Sequence, residues 1–287
     1  MLIRGCTCAA VIALGSSLAF GQLVRSGAGP DPASIQGVID EYRADLGVLN
    51  PNTPGSFPGG RRELSWDGVP DAFAAPNNLP GDFFNVNSPR GAVFSTPGTS
   101  VRVSANAVNP TNTPVRFGDI NPQYVDTFKA FSQQRLFSPI GSNVVDMHFF
   151  VPGSNTPALT RGFGAVYTDV DLAENTAFEY FDAAGLSLGA FNTPVSNNGL
   201  SFLGVSFPTP LIARVRIAYG NAALGPDDGG GVDVAVMDDF IYGEPQAIPE
   251  PAAAAAAAAG ALALGAMRCG AVRRRLQSAR AVPSRST

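Results

Sequence analysis

The sequence predicts a mainly β chain: an antiparallel β-sandwich, jelly-roll-like, with one short N-terminal amphipathic helix. Three observations carry that expectation. Glycine (32) and proline (24) are abundant in the 287 residues, which favours many turns and short strands. Nine short stretches rich in β-branched and aromatic residues follow one another between turn-forming residues. No helix-length periodic segment separates them, so strand–helix–strand units and a parallel sheet are not expected.

Taken in chain order, residues 1–21 read as a secretory signal peptide outside the fold. Arg4 supplies the charge, Ala9 to Leu14 begin an apolar run, and Ala19 and Gly21 are small residues placed for peptidase cleavage. Residues 22–62 are expected to form a helix and a Pro/Gly-rich loop. Asp31 caps the helix, Pro32 occupies its first position and Gly47 closes it. Ile35, Val38, Ile39, Tyr42 and Leu46 form its apolar stripe.

The sandwich domain is expected over 63–245. Its strands are placed at Ala92–Ser95, Val101–Ala107, Val144–Val151, Gly162–Asp169, Ala177–Asp182, Leu186–Phe191, Leu200–Phe207, Ile212–Tyr219 and Val232–Tyr242. Alternation assigns faces. Val145, Met147 and Phe149 point inward with Asp146 and His148 outward, and Val215 and Ile217 point inward with Arg214 and Arg216 outward.

The remaining residues, 246–287, have a different character. Pro249-Glu250-Pro251 precedes an alanine-rich apolar stretch, about 252–272, long enough to span a bilayer as a helix, and Arg273-Arg274-Arg275 follows it. These three elements in order resemble the PEP-CTERM sorting signal of Gram-negative bacteria. The resemblance covers only this tail. It implies a chain exported through the inner membrane, held there transiently and then cleaved near Pro-Glu-Pro by an exosortase, with delivery to the outer surface. The general layout of the central domain loosely resembles carbohydrate-binding and lectin-like sandwiches of secreted bacterial proteins.

Charge and cysteine usage narrow the function classes. The net charge of −4 conceals basic termini, and between Gln22 and Ile248 there are 12 basic against 22 acidic residues, a net −10. Such a domain repels nucleic acid and attracts divalent cations. Cys6 and Cys8 lie in the signal peptide and Cys269 in the tail, so neither disulfides nor cysteine chemistry is expected in the domain between them.

Acidic residues are the strongest local signal for a site. Asp227, Asp228 and Asp233, in a glycine-rich turn, with Asp238 and Asp239 beyond, are candidate oxygen ligands for a structural calcium ion. Asp169 and Asp171 form a second pair, two residues apart on an extended chain. Asp67, Asp71 and Asp119 can join either group only through the fold. Trp66, the single tryptophan, is the candidate sugar-stacking platform.

For catalysis the expectation is negative. His148 is the single histidine. Gly185-Leu186-Ser187-Leu188-Gly189 matches the Gly-x-Ser-x-Gly string, but it sits in a hairpin without the helix that a nucleophile elbow needs. The sequence therefore predicts an exported, non-catalytic surface or extracellular-matrix protein. Signal peptidase and exosortase are its processing partners, and extracellular polysaccharide is a candidate ligand. The alternative is a secreted glycan-active hydrolase with two carboxylates drawn from distant strands.

Overall fold

The computed structural model describes residues 21–249. The first part of the chain contributes β1 (Leu23–Gly29), α1 (Pro32–Leu46), β2 (Arg61–Leu64), α2 (Phe83–Val86), β3 (Ala92–Ser95) and β4 (Ser100–Val103). α3 (Tyr124–Thr127), β5 (Phe137–Ile140), β6 (Val144–Phe149), β7 (Ala158–Leu159) and β8 (Gly162–Val170) follow. The chain then runs through β9 (Ala177–Phe181), β10 (Ser187–Asn192), β11 (Ser196–Ser206), β12 (Arg214–Ala218), β13 (Val236–Gly243) and β14 (Gln246–Ala247).

The strands build two large antiparallel sheets and a small two-stranded one of β7 and β14. The larger is ordered β1-β11-β8-β13-β5-β4, with β2 also paired to β13, and the smaller β10-β9-β12-β6-β3. From β5 onward the chain alternates between them, with β5, β8, β11 and β13 in one and β6, β9, β10 and β12 in the other. That winding is the jelly-roll-like sandwich the sequence predicts.

Between the sheets lies an aromatic core in which Phe163 of β8 meets Phe178 of β9 edge-on at 5.1 Å. Alternation holds on the smaller sheet. Val145, Met147, Phe149, Val215 and Ile217 are buried, while Asp146, His148, Arg214 and Arg216 face outward. The larger sheet departs from it, because α1 covers its other face and β8 and β13 are buried along their whole length.

α1 forms where its signals place it. Asp31 accepts from the Ser34 amide at 3.0 Å, and Gly47 closes the helix with φ 96°. Ile35, Ile39, Tyr42 and Leu46 pack on Val166, Leu200, Phe202 and Ile241. The helix seats closely because Gly164 and Gly204 face each other across β8 and β11. A Cβ on Gly204 would lie 2.8 Å from the Tyr42 ring. The Tyr42 hydroxyl donates to the Val205 carbonyl at 3.1 Å.

Both expected boundaries of the sandwich shift outward. β1, placed outside the sandwich by its sequence, pairs with β11 over seven residues as the edge of the larger sheet. At the other end β14 pairs with β7, and the Ile248 amide still donates to the Pro157 carbonyl, so the fold extends past 245. The two ends meet at Arg62 and Glu244, both at 0% side-chain exposure and joined by two hydrogen bonds of 2.7 and 2.8 Å.

The long excursion between β4 and β5 carries α3 and packs Phe117, Tyr124, Phe128 and Leu136 against Leu224, Val234 and Val236. This lobe covers one end of the sandwich and forms one wall of the site described next. The expected cleavage residue Ala19 and the sorting elements Glu250, Pro251 and Arg273 to Arg275 lie outside the described residues, as does the expected apolar span. Gly21 and Pro249 are the first and last residues described. Among the described residues no helix is long and apolar enough to cross a membrane.

Candidate metal centre

Two chain reversals meet at the lobe end of the sandwich. β8 ends at Val170, with Asp169 turned into the left-handed region at φ 64°. The glycine-rich turn before β13 follows a similarly unusual path, with Gly229, Gly230 and Gly231 at φ 86°, 63° and 99°. Glycine adopts such values without steric cost, which lets the turn fold back. Together they bring Asp169, Asp171 and Asp228 close enough that one carboxylate oxygen from each lies within 4.8 Å of the others.

The three acids open into a cavity of about 190 Å³, walled by Asn121, Tyr124 and Thr127 from the lobe and by Asn197 and Asn198 from β11. Their electrostatics are those of carboxylates short of counter-charge. Burial, opposed by the Asn198 amide and aided by the charge of Asp171, pushes Asp169 up to about 8. Burial and then the neighbouring Asp228 and Asp233 charges also push Asp171 up. The Asp171 Oδ1 atom is buried with no hydrogen-bond partner. A divalent cation would give that orphaned oxygen a partner and would offset two negative charges of the cluster.

The donor chemistry narrows the choice of ion. Three carboxylates with amide and hydroxyl oxygens nearby, and no nitrogen or sulfur donor among the lining residues, form a hard-cation set. A surplus of oxygens around a glycine-rich turn would suit Ca²⁺ better than the tight octahedron of Mg²⁺.

The acids singled out in the sequence therefore divide. Asp228 joins the centre, but with Asp169 and Asp171 rather than with its sequence neighbours. Asp227 points to solvent. Asp233 serves the backbone, accepting from the Asp171 amide at 3.3 Å and the Leu172 amide at 3.1 Å. Asp238 and Asp239 are buried at a different place, where Asp238 Oδ2 accepts from the Phe131 amide at 2.6 Å and Asp239 Oδ1 lies 2.8 Å from Ser132 Oγ. Asp67 joins that second group through Ser132 Oγ at 3.3 Å.

Trp66 corrects the expectation of an exposed platform. It has 0% exposure, its ring stacks on Phe137 at 4.3 Å, and its indole N–H donates to the Asp238 carbonyl at 2.8 Å. Its short 3-10 turn, Trp66–Gly68, directs the ring inward. All six tyrosines are buried as well.

The groups considered for catalysis are dispersed. His148 Nε2 lies 3.3 Å from Ser95 Oγ on the outer face of the smaller sheet. Asp146, next to it on that face, accepts instead from Arg214 at 2.8 Å and from Arg216 at 2.9 and 3.0 Å, which leaves it below the ordinary carboxylate range despite partial burial. Ser187 begins β10, and the chain continues into β11 with no helix between them.

No protein-family model matches the sequence, and no curated protein matches it. One solved structure is similar over part of its length: the enzymatically active domain of tailspike protein 4 from bacteriophage CBA120. It is 14% identical, with a TM-score of 0.27, and the match covers 61% of this chain and 22% of that one. A likeness of that extent carries no argument about activity.

Proposed function

We propose that this chain is an exported, non-catalytic β-sandwich of the cell surface or extracellular matrix, stabilised by a calcium ion at Asp169, Asp171 and Asp228. The observation that carries this reading is the pocket itself. Three carboxylates converge there, one with a buried and unpartnered oxygen, and no Lys or Arg is among the described residues that line the cavity. A structural role in polysaccharide is favoured over lectin-like recognition because Trp66 and every tyrosine, the residues best suited to stack on a sugar ring, are internal. Export and surface delivery rest on the signal-peptide pattern and on the tail resembling a PEP-CTERM signal.

The role in the matrix is one of packing. An acidic module can bridge to anionic polymers through divalent cations held by its carboxylates. The test is thermal unfolding of residues 22–249 in millimolar Ca²⁺ and in EDTA, for wild type and Asp228→Asn, with glycan-array binding in parallel. Calcium stabilisation lost in the variant supports the reading. Calcium-independent stability, or tight binding of one glycan, contradicts it.

A further inference from the structure

β13 changes partners midway along its length. Its register with β8 shifts between Met237 and Phe240, and the residues in the shift are Asp238 and Asp239, at 0% and 6% exposure. Ser132, from the loop that leads into β5, projects onto them. Its Oγ lies 2.8 Å from Asp239 Oδ1, 3.2 Å from Asp238 Oδ1 and 3.3 Å from Asp67 Oδ2.

Counting hydrogens exposes a shortfall. A hydroxyl has one hydrogen to give, and ionised carboxylates have none. One hydroxyl among three carboxylate oxygens would leave two of those contacts with no hydrogen between the atoms. Asp67 is already served, Oδ1 by the Gln134 and Arg135 amides at 3.0 Å and Oδ2 by the Ser65 hydroxyl at 3.1 Å, and Asp238 Oδ2 accepts from the Phe131 and Ser132 amides, so the shortfall falls on Asp238 Oδ1 and Asp239. Among the described residues, no backbone amide donates to the Asp239 carboxyl.

We propose that a proton shared by Asp238 and Asp239 through Ser132 is a structural component of the fold, a latch that fastens the 129–135 loop to β13 and loosens when the proton is lost. The loop it holds is consequential. Phe131 packs on the α1 cluster, and the Lys129 amide donates to Thr168 Oγ1 at 2.7 Å, so the same loop ties the covering lobe to the sandwich. The latch is separate from the cation pocket and does not depend on it.

The surroundings favour keeping the proton. Glu63 on β2 adds negative charge near Asp239 and outweighs the opposing effect of Arg43 on α1, while Arg61 is engaged with Glu63 at 2.7 Å. Asp67 adds a further carboxylate. Burial is the largest cause for both acids, pushing Asp239 up to about 6 and Asp238 well above the ordinary range. An acid whose pKa is raised by folding contributes stability that is complete at low pH and is lost as pH rises, here through about 6 for Asp239.

The test compares wild type with Asp239→Asn, whose amide N–H supplies a permanent hydrogen in place of the proton. Both are unfolded thermally from pH 4.5 to 8 in EDTA, with amide hydrogen exchange of Phe131 and Ser132 followed in parallel. The wild-type Tm is expected to fall by roughly 5–10 °C relative to the variant across that range. Exchange at the two amides, corrected for its intrinsic pH dependence, is expected to accelerate about tenfold or more in wild type and to stay flat in the variant. Parallel pH profiles would overturn the proposal. Should the variant not fold, carboxyl ¹³C titration of wild type decides alone: both aspartates titrating in the ordinary range refutes it, and at least one retaining its proton above pH 6 supports it.

Discussion

Glu244→Gln is the substitution that most directly tests how the two ends of the fold are joined. Arg62 donates from Nε and Nη2 to the two Glu244 oxygens at 2.7 and 2.8 Å, and both side chains have 0% exposure. The remaining guanidinium hydrogens go to the Thr53, Gly55 and Pro89 carbonyls, and Glu244 also accepts from Asn50 Nδ2 and the Phe57 amide. Glutamine keeps the shape but removes the counter-charge, and its NH₂ must face a group that can only donate. Breaking a buried pair by removing one partner costs about 3–5 kcal/mol. At about 2–4 °C per kcal/mol for a domain of this length, Tm should fall by roughly 6–20 °C. The assay is urea unfolding of wild type, Glu244→Gln, Arg62→Met and the double variant, with m-values compared so that a change in the unfolded state is not read as a lost contact. A coupling energy on the order of 2 kcal/mol or more is expected between the two sites. A Glu244→Gln loss under about 1 kcal/mol, or strictly additive effects, would refute the view that this pair fastens the loop at 51–60 to the end of β13.

Gly204→Ala drives a methyl into the Tyr42 ring and the Phe202 ring, 2.8 and 3.0 Å away, and should cost about 1–3 kcal/mol in urea unfolding. Unchanged stability would show that α1 sits less closely on the sheet. Trp66 fluorescence should resist acrylamide quenching and should not respond to added glycans. Trp66→Phe should lower stability by about 2 kcal/mol through the lost ring volume and the unpaired Asp238 carbonyl. Ready quenching of the wild-type protein would mean the ring is accessible after all.

How far the sequence carries depends on what each element needs. Each of the nine expected strands has a counterpart, though Val101–Ala107 forms only as Ser100–Val103 and Val232–Tyr242 begins at Val236, because their period-two patterns match a sheet that is wet on one side or buried on both. β1, β2 and β5 escape notice for distinct reasons. β1 is Leu-Val-Arg-Ser-Gly-Ala-Gly, with little strand propensity, and forms only because β11 offers an edge along its whole length. β2 buries Arg62 through an ion pair, so its inward face does not look apolar. β5 contains Pro139, a residue that ordinarily argues against a strand. β7 and β14 are two residues each and have no periodicity to detect.

The candidate site was legible only in its parts. Asp169 and Asp171 share a local pattern, but Asp228 joins them through the fold rather than through spacing. Adjacent acids such as Asp238 and Asp239 look like ligands in sequence, whereas the structure engages them with the Phe131 and Ser132 backbone and the Ser132 hydroxyl. Trp66 between Ser65 and Asp67 looks like an exposed turn residue, and only the surrounding Phe84, Phe94, Phe137 and Phe240 show that the ring is central to the core.

The central claim is that a divalent cation completes the Asp169, Asp171 and Asp228 pocket, and calcium-dependent thermal unfolding at two pH values tests it most directly. At about 100 times its dissociation constant the ion adds roughly 2.7 kcal/mol, or about 5–10 °C. Because Asp169 holds its proton up to about pH 8, the ion must displace that proton in acid, so the gain should be larger at pH 8.5 than at pH 6. Asp169→Asn should abolish the calcium response while keeping the acceptor for the Asn198 amide. A wild-type Tm that is the same in Ca²⁺ and EDTA at pH 8.5, or a response that survives in Asp169→Asn, would contradict the account.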